Sequence, residues 1–537
     1  MKRTASLMWA LPLGVLLLGA APDDAPATDP PAAPAEPPAD PQKSDKSAMD
    51  SVKDAASGKA AAGVAAATDV NPEKPRRPAA PPETFEEGLT AFYADDYPLA
   101  ASLMYDFVAT NEDTVDNYEW AEFFLGVSLS RMGFKHGAAE YLYNVAKNRS
   151  KPEILPDALL EIEALMQSPH DEALLVDKLI TDSDFGYLPL AVADFVNYYQ
   201  GLEDLRAERT AWAERLFGRI RKDSSYKAKA LYALAVQRLR RNSSSDAVRL
   251  FREALAHPAA DRDLRNQARL ALARVLYENQ RFKEARKIYD SVEVPELSTA
   301  EASLYLEKAW TAYFLKDYRR TMGILYALEA PSYREYFGPE KFLLRALVYT
   351  NLCHYIPAKR EIRRFRFKFG PTLDNVRNRI DLREDEVLRT AAFSRGAVGR
   401  LAAFRKLLTN EYDLIDTVGG AWLEVGLDDQ LKRIYELKVK QTDIRLEGAA
   451  RKATREIAEE LVEFEEQMYL LDYEVGLAIY RRLRKEDARR PSEADDLTIP
   501  WSGKKAYYNF TEEFWNDELP TYDFFVENRC FDEGVQE

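Results

Sequence analysis

The chain has two cysteines, Cys353 and Cys530, and four histidines in 537 residues. So few soft ligands exclude a disulfide framework and a clustered zinc site. His136, His170, His257 and His354 show no metal-ligand spacing on one helix face, and each is expected near a turn or helix end, in solvent. Phosphate-binding loops, dinucleotide fingerprints, HExxH and Gly-x-Ser-x-Gly are all missing from the sequence. There is no excess of positive charge. Lys and Arg number 74 against 89 Asp and Glu, a net charge of −15 with both signs mixed along the chain. That balance argues against general nucleic-acid binding, which needs a basic footprint. Glu459-Glu460 and Glu465-Glu466 read as the wet face of a charged helix rather than a paired-acid site. No catalytic residue, metal or cofactor is therefore expected, and the chain does not read as an enzyme.

Long apolar runs are also missing beyond residue 21. Lys2 and Arg3 precede an apolar stretch, Leu7–Ala21. Its length suits a signal-peptide core and falls short of the roughly 20 residues of a membrane span. Residues 1–21 are expected to direct export to the periplasm, with an uncleaved inner-membrane anchor as the alternative. Residues 22–83 are rich in Pro, Ala, Asp and Lys and nearly devoid of large apolar side chains. Such a segment cannot bury enough surface to offset its ordering entropy and reads as a linker.

From 84 to 370 the pattern changes to a repeat. Small residues recur at Ala100, Ala138, Ala173, Ala211, Ala247, Ala285, Thr321 and Ala358, at intervals of 38, 35, 38, 36, 38, 36 and 37. A period of this size signals stacked supersecondary units. Within a unit, Phe282, Ala285, Ile288, Tyr289 and Val292 share one helix face. Gly or Ala near the middle of the first helix (Gly88, Gly126, Ala273, Ala309, Ala346) lets the second approach closely. Polar turns such as Asp95-Asp96, Asn279-Gln280-Arg281 and Lys316-Asp317 separate the two. These positions resemble the tetratricopeptide repeat, with a longer period than that family's. The resemblance implies an all-α solenoid of about eight helical hairpins that binds partner proteins in a groove.

Residues 371–490 contain no proline after Pro371, and they carry a near-heptad stripe. Leu446, Ala450, Ala453, Ile457, Leu461, Phe464, Met468, Leu471, Val475 and Ala478 step by three and four. A helix over 446–478 would be about 50 Å long and needs a long partner, expected within 373–408 or 427–440. It either caps the array or supports self-association. Residues 491–537 form an aromatic tail with Trp501, Tyr507, Phe514, Trp515, Phe524 and Phe525, expected to pack back along the long helices. Cys353, placed in a helix of the last repeat, reads as a small buried residue; export also permits a Cys353–Cys530 bridge.

Two features mark partner binding. One is the basic, amphipathic cluster Lys359, Arg360, Arg363, Arg364, Arg366 and Lys368, interleaved with Phe365 and Phe367; the other is the tail, with Trp501 and Trp515. The exported repeat array, long helical region and Trp-Asn-Asp-Glu-Leu tail together look like envelope proteins of deltaproteobacteria, some of them in the myxobacterial gliding-motility machinery. That likeness implies a non-enzymatic scaffold for other envelope proteins, with no nucleic acid and no integral span after signal cleavage. An envelope-assembly or polysaccharide-secretion adaptor and a peptidoglycan-acting factor are the other readings.

Overall fold

A computed structural model describes residues 78–148, 151–486 and 513–530. The expected signal peptide, most of the linker and Trp501 lie outside these residues. Every regular element among the described residues is a helix, and none is long and apolar enough to cross a membrane.

Eight helical hairpins follow one another. They are α1/α2 (Pro82–Tyr93, Tyr97–Thr110), α3/α4 (Tyr118–Arg131, Lys135–Asn148), α5/α6 (Leu155–Leu165, Ala173–Thr181, the latter π-helical) and α7/α8 (Leu190–Arg206, Thr210–Arg219). Then come α9/α10 (Ser225–Arg240, Ser244–Ala256), α11/α12 (Arg262–Glu278, Phe282–Tyr289), α13/α14 (Thr299–Phe314, Tyr318–Ala327) and α15/α16 (Glu340–Asn351, Tyr355–Arg377). Four more α-helices follow among the described residues: α17 (Glu386–Phe393), α18 (Gly396–Ile415), α19 (Gly420–Val425) and α20 (Leu427–Glu486). The chain is an all-α array of stacked hairpins.

One turn is built seven times. Two residues before the second helix, the backbone is left-handed at Asp95, Gly133, Glu208, Asn242, Gln280, Lys316 and Cys353, with φ between 57° and 95°. The next residue's N–H donates five residues back. Asp96 reaches Ala91 O, Phe134 reaches Leu129 O, Arg281 reaches Leu276 O and His354 reaches Tyr349 O, at 2.8–3.0 Å. This is a Schellman closure, which satisfies carbonyls the ending helix leaves open. The chain then re-enters a helix, and the fourth residue of that helix is small and fully buried: Ala100, Ala138, Ala213, Ala247, Ala285, Thr321 and Ala358. The turn sets direction, and the small residue sets how closely the two helices approach. Gly126 serves the same approach from the first helix. A Cβ there would lie 2.8 Å from Leu142 Cγ on the opposing helix.

Two of the small residues expected from the spacing are displaced. In α8 the buried small residue is Ala213, while Ala211 is exposed beside Trp212. The fourth helical position, not the mean period, selects the packed residue. In the third hairpin seven residues (166–172) join the helices without a left-handed turn, and the fourth position is Val176. Ala173 is only partly buried there.

The described chain divides into two compact units. One holds the first three hairpins and residues 404–441. Trp422 of α19 is its largest fully buried side chain; its Nε1–H donates to Pro98 O at 3.0 Å, and its ring lies 5.3 Å from Phe134. Ser102 Oγ donates to Ala421 O at 3.0 Å. The added helices thus cover apolar surface that the first two hairpins leave open. The Gly419-Gly420 break, with Gly419 at φ 90°, separates α18 from α19.

The other unit holds hairpins four to eight, residues 386–403, residues 442–486 of α20 and the described tail. The long helix is 60 residues, about 90 Å at 1.5 Å per residue. It runs on through 427–440, so that segment is part of it and not its partner. Here α20 packs against α16 in the opposite direction, with Lys359 paired to Asp472 and Arg377 to Glu465. The heptad stripe faces inward, with Ala453, Ile457, Leu461, Met468, Leu471 and Val475 all buried. Ala453, Ile457 and Ala458 meet α17 and α18, and Leu461 to Val475 meet the last two hairpins. Glu460 and Glu465 are not a wet face: they pair with Arg395 and Arg377.

Residues 513–530 do not follow the long helix. They cross α14 and the α15–α16 turn. Phe524 stacks on Tyr326 at 4.3 Å, and Phe524 N–H donates to Arg319 O at 3.1 Å. Arg320 donates to the carbonyls of Tyr522 and Pro520. The tail backbone passes so close to α14 that any side chain at Gly323 would strike the Tyr522 carbonyl. Cys353 and Cys530 are bridged across 177 residues of sequence. Cys353 thus lies in a left-handed turn, not within a helix, and its sulfur holds the tail end on the last hairpin.

Two outcomes follow from these turns and this bridge. Lys316→Gly and Gln280→Gly each relieve a left-handed strain of about 1–2 kcal/mol. Added backbone entropy takes back roughly half to one kcal/mol, so each variant should unfold at slightly higher urea. Opening the bridge, by reductant or by Cys353→Ser, should cost about 2–4 kcal/mol, read as a lower urea midpoint that the Ser variant no longer shifts on reduction.

Candidate interaction face

Helix α16 carries the basic cluster, and its neighbours sort the cations into two groups. Lys359 and Arg366 turn toward α20 and converge on one carboxylate. Lys359 Nζ lies 2.7 Å from Asp472 Oδ1, and Arg366 Nη2 lies 3.1 Å from Asp472 Oδ2. Arg366 also stacks 4.7 Å over the Tyr469 ring. Burial works to raise the Asp472 carboxyl, but the two cations outweigh it and hold it below its ordinary value. These two residues brace α16 against α20. Lys368 belongs to neither group; its Nζ lies 5.5 Å over the Phe369 ring.

Arg360, Arg363 and Arg364 point the other way, and all are exposed. Arg364 bonds Glu361 Oε1 at 3.2 Å; Arg360 and Arg363 have no ion pair among the described residues. With Glu329, Phe342 and Phe367 they line an open depression of about 530 Å³. Phe367 is 88% exposed, a large apolar ring ringed by guanidinium groups.

A buried charge network holds Glu329, one of the lining residues. Arg345 is wholly buried and donates to Glu361 Oε2 at 3.2 Å, Glu329 Oε1 at 2.9 Å and Leu325 O at 2.9 Å. Lys341 adds a second cation 3.3 Å from Glu329. Burial pushes the Glu329 carboxyl up, yet Arg345 and Lys341 prevail and keep it below its ordinary value. Glu329 is thus committed inward, and Glu361 divides its two oxygens between Arg345 and the exposed Arg364. The face offers a ring and the donors of Arg360 and Arg363, which have no ion pair among the described residues.

The other expected partner residues are placed differently. Trp515 is half exposed on the tail segment, its backbone N–H donating to Tyr522 Oη at 3.3 Å. Trp501 lies outside the described residues. Of the histidines, His136 is buried in the first unit, contrary to the solvated position expected. Its ring edges onto Phe404 and Tyr435 at 5.6 and 5.8 Å, and its backbone N–H donates to Glu411 Oε2. Tyr435 Oη donates to the same oxygen at 2.6 Å, and Lys438 pairs with Asp171 at 2.6 Å. Burial, with the Lys438 charge behind it, pushes His136 down to about 3, while burial raises Glu411 to about 7. No signal in the sequence marks this cluster, because its members come from distant stretches of the chain. It fastens residues 404–441 to the second hairpin. Among the described residues no group of His, Cys, Asp and Glu could hold a metal ion.

No protein-family model matches this chain, nor does any curated protein sequence. Solved structures similar to it include a tetratricopeptide repeat protein from Parabacteroides merdae, at 15% identity and a TM-score of 0.29 over 50% of this chain and 97% of that one. The apo form of RapI is 13% identical, with a TM-score of 0.29 over 68% and 98%. A Rap protein complexed with competence and sporulation factor is 13% identical, with a TM-score of 0.24 over the same shares. The hairpin architecture rests on this chain's own turns and buried small residues.

The His136 cluster yields a pH dependence. The histidine's folded value, about 3, lies below its ordinary 6.5. The unfolded chain therefore binds the extra proton between those values, and the stability this group contributes is present above pH 6.5 and lost as pH falls. Glu411, raised from 4.5 to about 7, has the opposite slope: its contribution is present at low pH and falls as pH rises from 4.5 to 7. His136→Phe should therefore leave the Glu411 slope exposed. Between pH 6.5 and 4.5 the variant should lose less melting temperature than the parent chain.

Proposed function

We propose that this protein is a non-enzymatic scaffold that binds partner proteins of a cell envelope, taking an acidic, apolar-bearing segment on the α16 face. The observation that carries this reading is the grouping of Arg360, Arg363 and Arg364 with exposed Phe367 around one depression, whose lining carboxylate, Glu329, is held by buried Arg345. Guanidinium forks suit carboxylates, and an exposed ring supplies apolar contact beside them. Export is supported by the signal-like residues 1–21 and by the Cys353–Cys530 bridge, since disulfides persist in oxidising compartments. Periplasmic residence follows from that reading, and the gliding-motility apparatus is its finer form.

Arg360→Glu with Arg363→Glu is the direct test, because both side chains are exposed and neither takes part in the Arg345 network. Partners crosslinked to the parent chain in cells and identified by mass spectrometry should be lost from the double variant. In vitro, an acidic segment of such a partner should bind the variant about tenfold more weakly or worse, and the parent's affinity should fall with added salt. Motility proteins among the partners support the finer form; assembly or secretion factors assign the scaffold to that machinery instead. Partner capture unchanged by the variant removes the α16 face from the reading. Wall-clearing activity in a zymogram overturns the non-enzymatic scaffold.

A further inference from the structure

The inward stripe of α20 is occupied within its own unit, yet another side of the same helix carries a second stripe. Tyr469, Tyr473, Gly476, Tyr480 and Leu483 follow steps of 4, 3, 4 and 3. The three tyrosines, Leu483 and the adjacent Leu470 are 51–66% exposed. At 100° per residue this stripe is centred about 140° around the helix from Leu471 and Val475, which are buried. A 3.5-residue spacing on a solvent face is the pattern of a helix that meets another helix.

The arrangement is nearly symmetric about its centre. Tyr469 and Leu483 lie seven residues before and after Gly476, and Tyr473 and Tyr480 lie three before and four after. Gly476, the one residue of the stripe without a side chain, sits in the middle. It and Tyr469 lie on the edge of the stripe nearest α16, where Lys359 Nζ would be 3.6 Å from a Cβ at Gly476 and Arg366 covers one side of the Tyr469 ring. The open part of the stripe is therefore Tyr473, Tyr480 and Leu483. The charges beside the stripe are antisymmetric: Glu466 is exposed on the N-terminal side and Arg484 on the C-terminal side, each about 60° around the helix from the stripe's centre. Two copies running parallel would set Glu466 against Glu466 and Arg484 against Arg484. Running antiparallel, each Glu466 comes beside the other copy's Arg484, and the tyrosines interleave as Tyr473 against Tyr480. Arg484 already lies 5.4 Å over the Tyr480 ring, which places a cation beside the aromatic layer. The self-complementary order of side chains is what a two-fold interface requires, because residue i must meet j while j meets i.

We propose that the exposed face of α20 between Glu466 and Arg484 is a homodimer interface, pairing antiparallel with the same segment of a second copy. It goes beyond partner binding on α16 and stands on different residues.

Sedimentation velocity of the full chain should show a concentration-dependent monomer–dimer equilibrium. Tyr473→Glu with Tyr480→Glu, both at exposed positions, should leave a monomer with unchanged helicity by circular dichroism. Orientation is read by crosslinking. The two native cysteines are bridged and no free thiol competes, so a mixture of Tyr473→Cys and Tyr480→Cys chains should form the mixed disulfide in large excess over either self-pair. Three results overturn the proposal: a monomer at every concentration, a dimer indifferent to the glutamate pair, or self-pairs of Tyr473→Cys outnumbering mixed ones. A photocrosslinker at Tyr473 that reacts with residues 487–512 of its own chain assigns the stripe to that segment and overturns it as well.

Discussion

Close approach of two helices within each hairpin is the constraint on which the rest depends. It is met at two points a few residues apart, a left-handed turn residue and a buried small residue at the fourth position of the next helix. The turn satisfies open carbonyls and reverses the chain; the small residue removes the side chain that would hold the helices apart. Six of the seven left-handed residues carry a side chain, and only Gly133 is glycine. Each of the six stores a local strain of about 1–2 kcal/mol, which persists because the packed hairpin over-determines its geometry. Aromatic pairs such as Phe282 on Phe314, stacked at 4.9 Å, then join one hairpin to the next.

An array of hairpins ends with apolar surface uncovered, and the C-terminal third of this chain answers that need in both units. Trp422 and its neighbours close the first, while Leu461, Met468, Leu471 and Val475 close the second. Ion pairs set the register of α20 on its neighbours, from Arg395–Glu460 to Lys359–Asp472. These pairs are partly exposed and modest one by one; they matter because they fix which residues of a long, nearly periodic helix meet which. The consequence for function is a division of the basic cluster on α16. Two cations brace the helix, and three arginines stay grouped around Phe367.

The tail follows the same logic. Its aromatic residues reach the surface of α14, where Gly323 leaves room for backbone to pass, and the bridge at Cys353 holds the end. That bridge joins a strained turn to a segment with little regular structure, so it contributes order where packing alone is thin.

Repeat length, all-helical class, the polar turns and the amphipathic stripe of α20 were determined by the sequence itself, because each arises from local periodicity. The basic cluster was legible too, as residue types at helical spacing. What the tertiary structure decided was pairing. It chose Ala213 over Ala211, sent the tail to α14, buried His136 beside Glu411 and Tyr435, and separated the bracing cations of α16 from its outward arginines. The physical reason is that helical period is written within a few residues, whereas a partner far along the chain is selected only by the packing of the folded molecule.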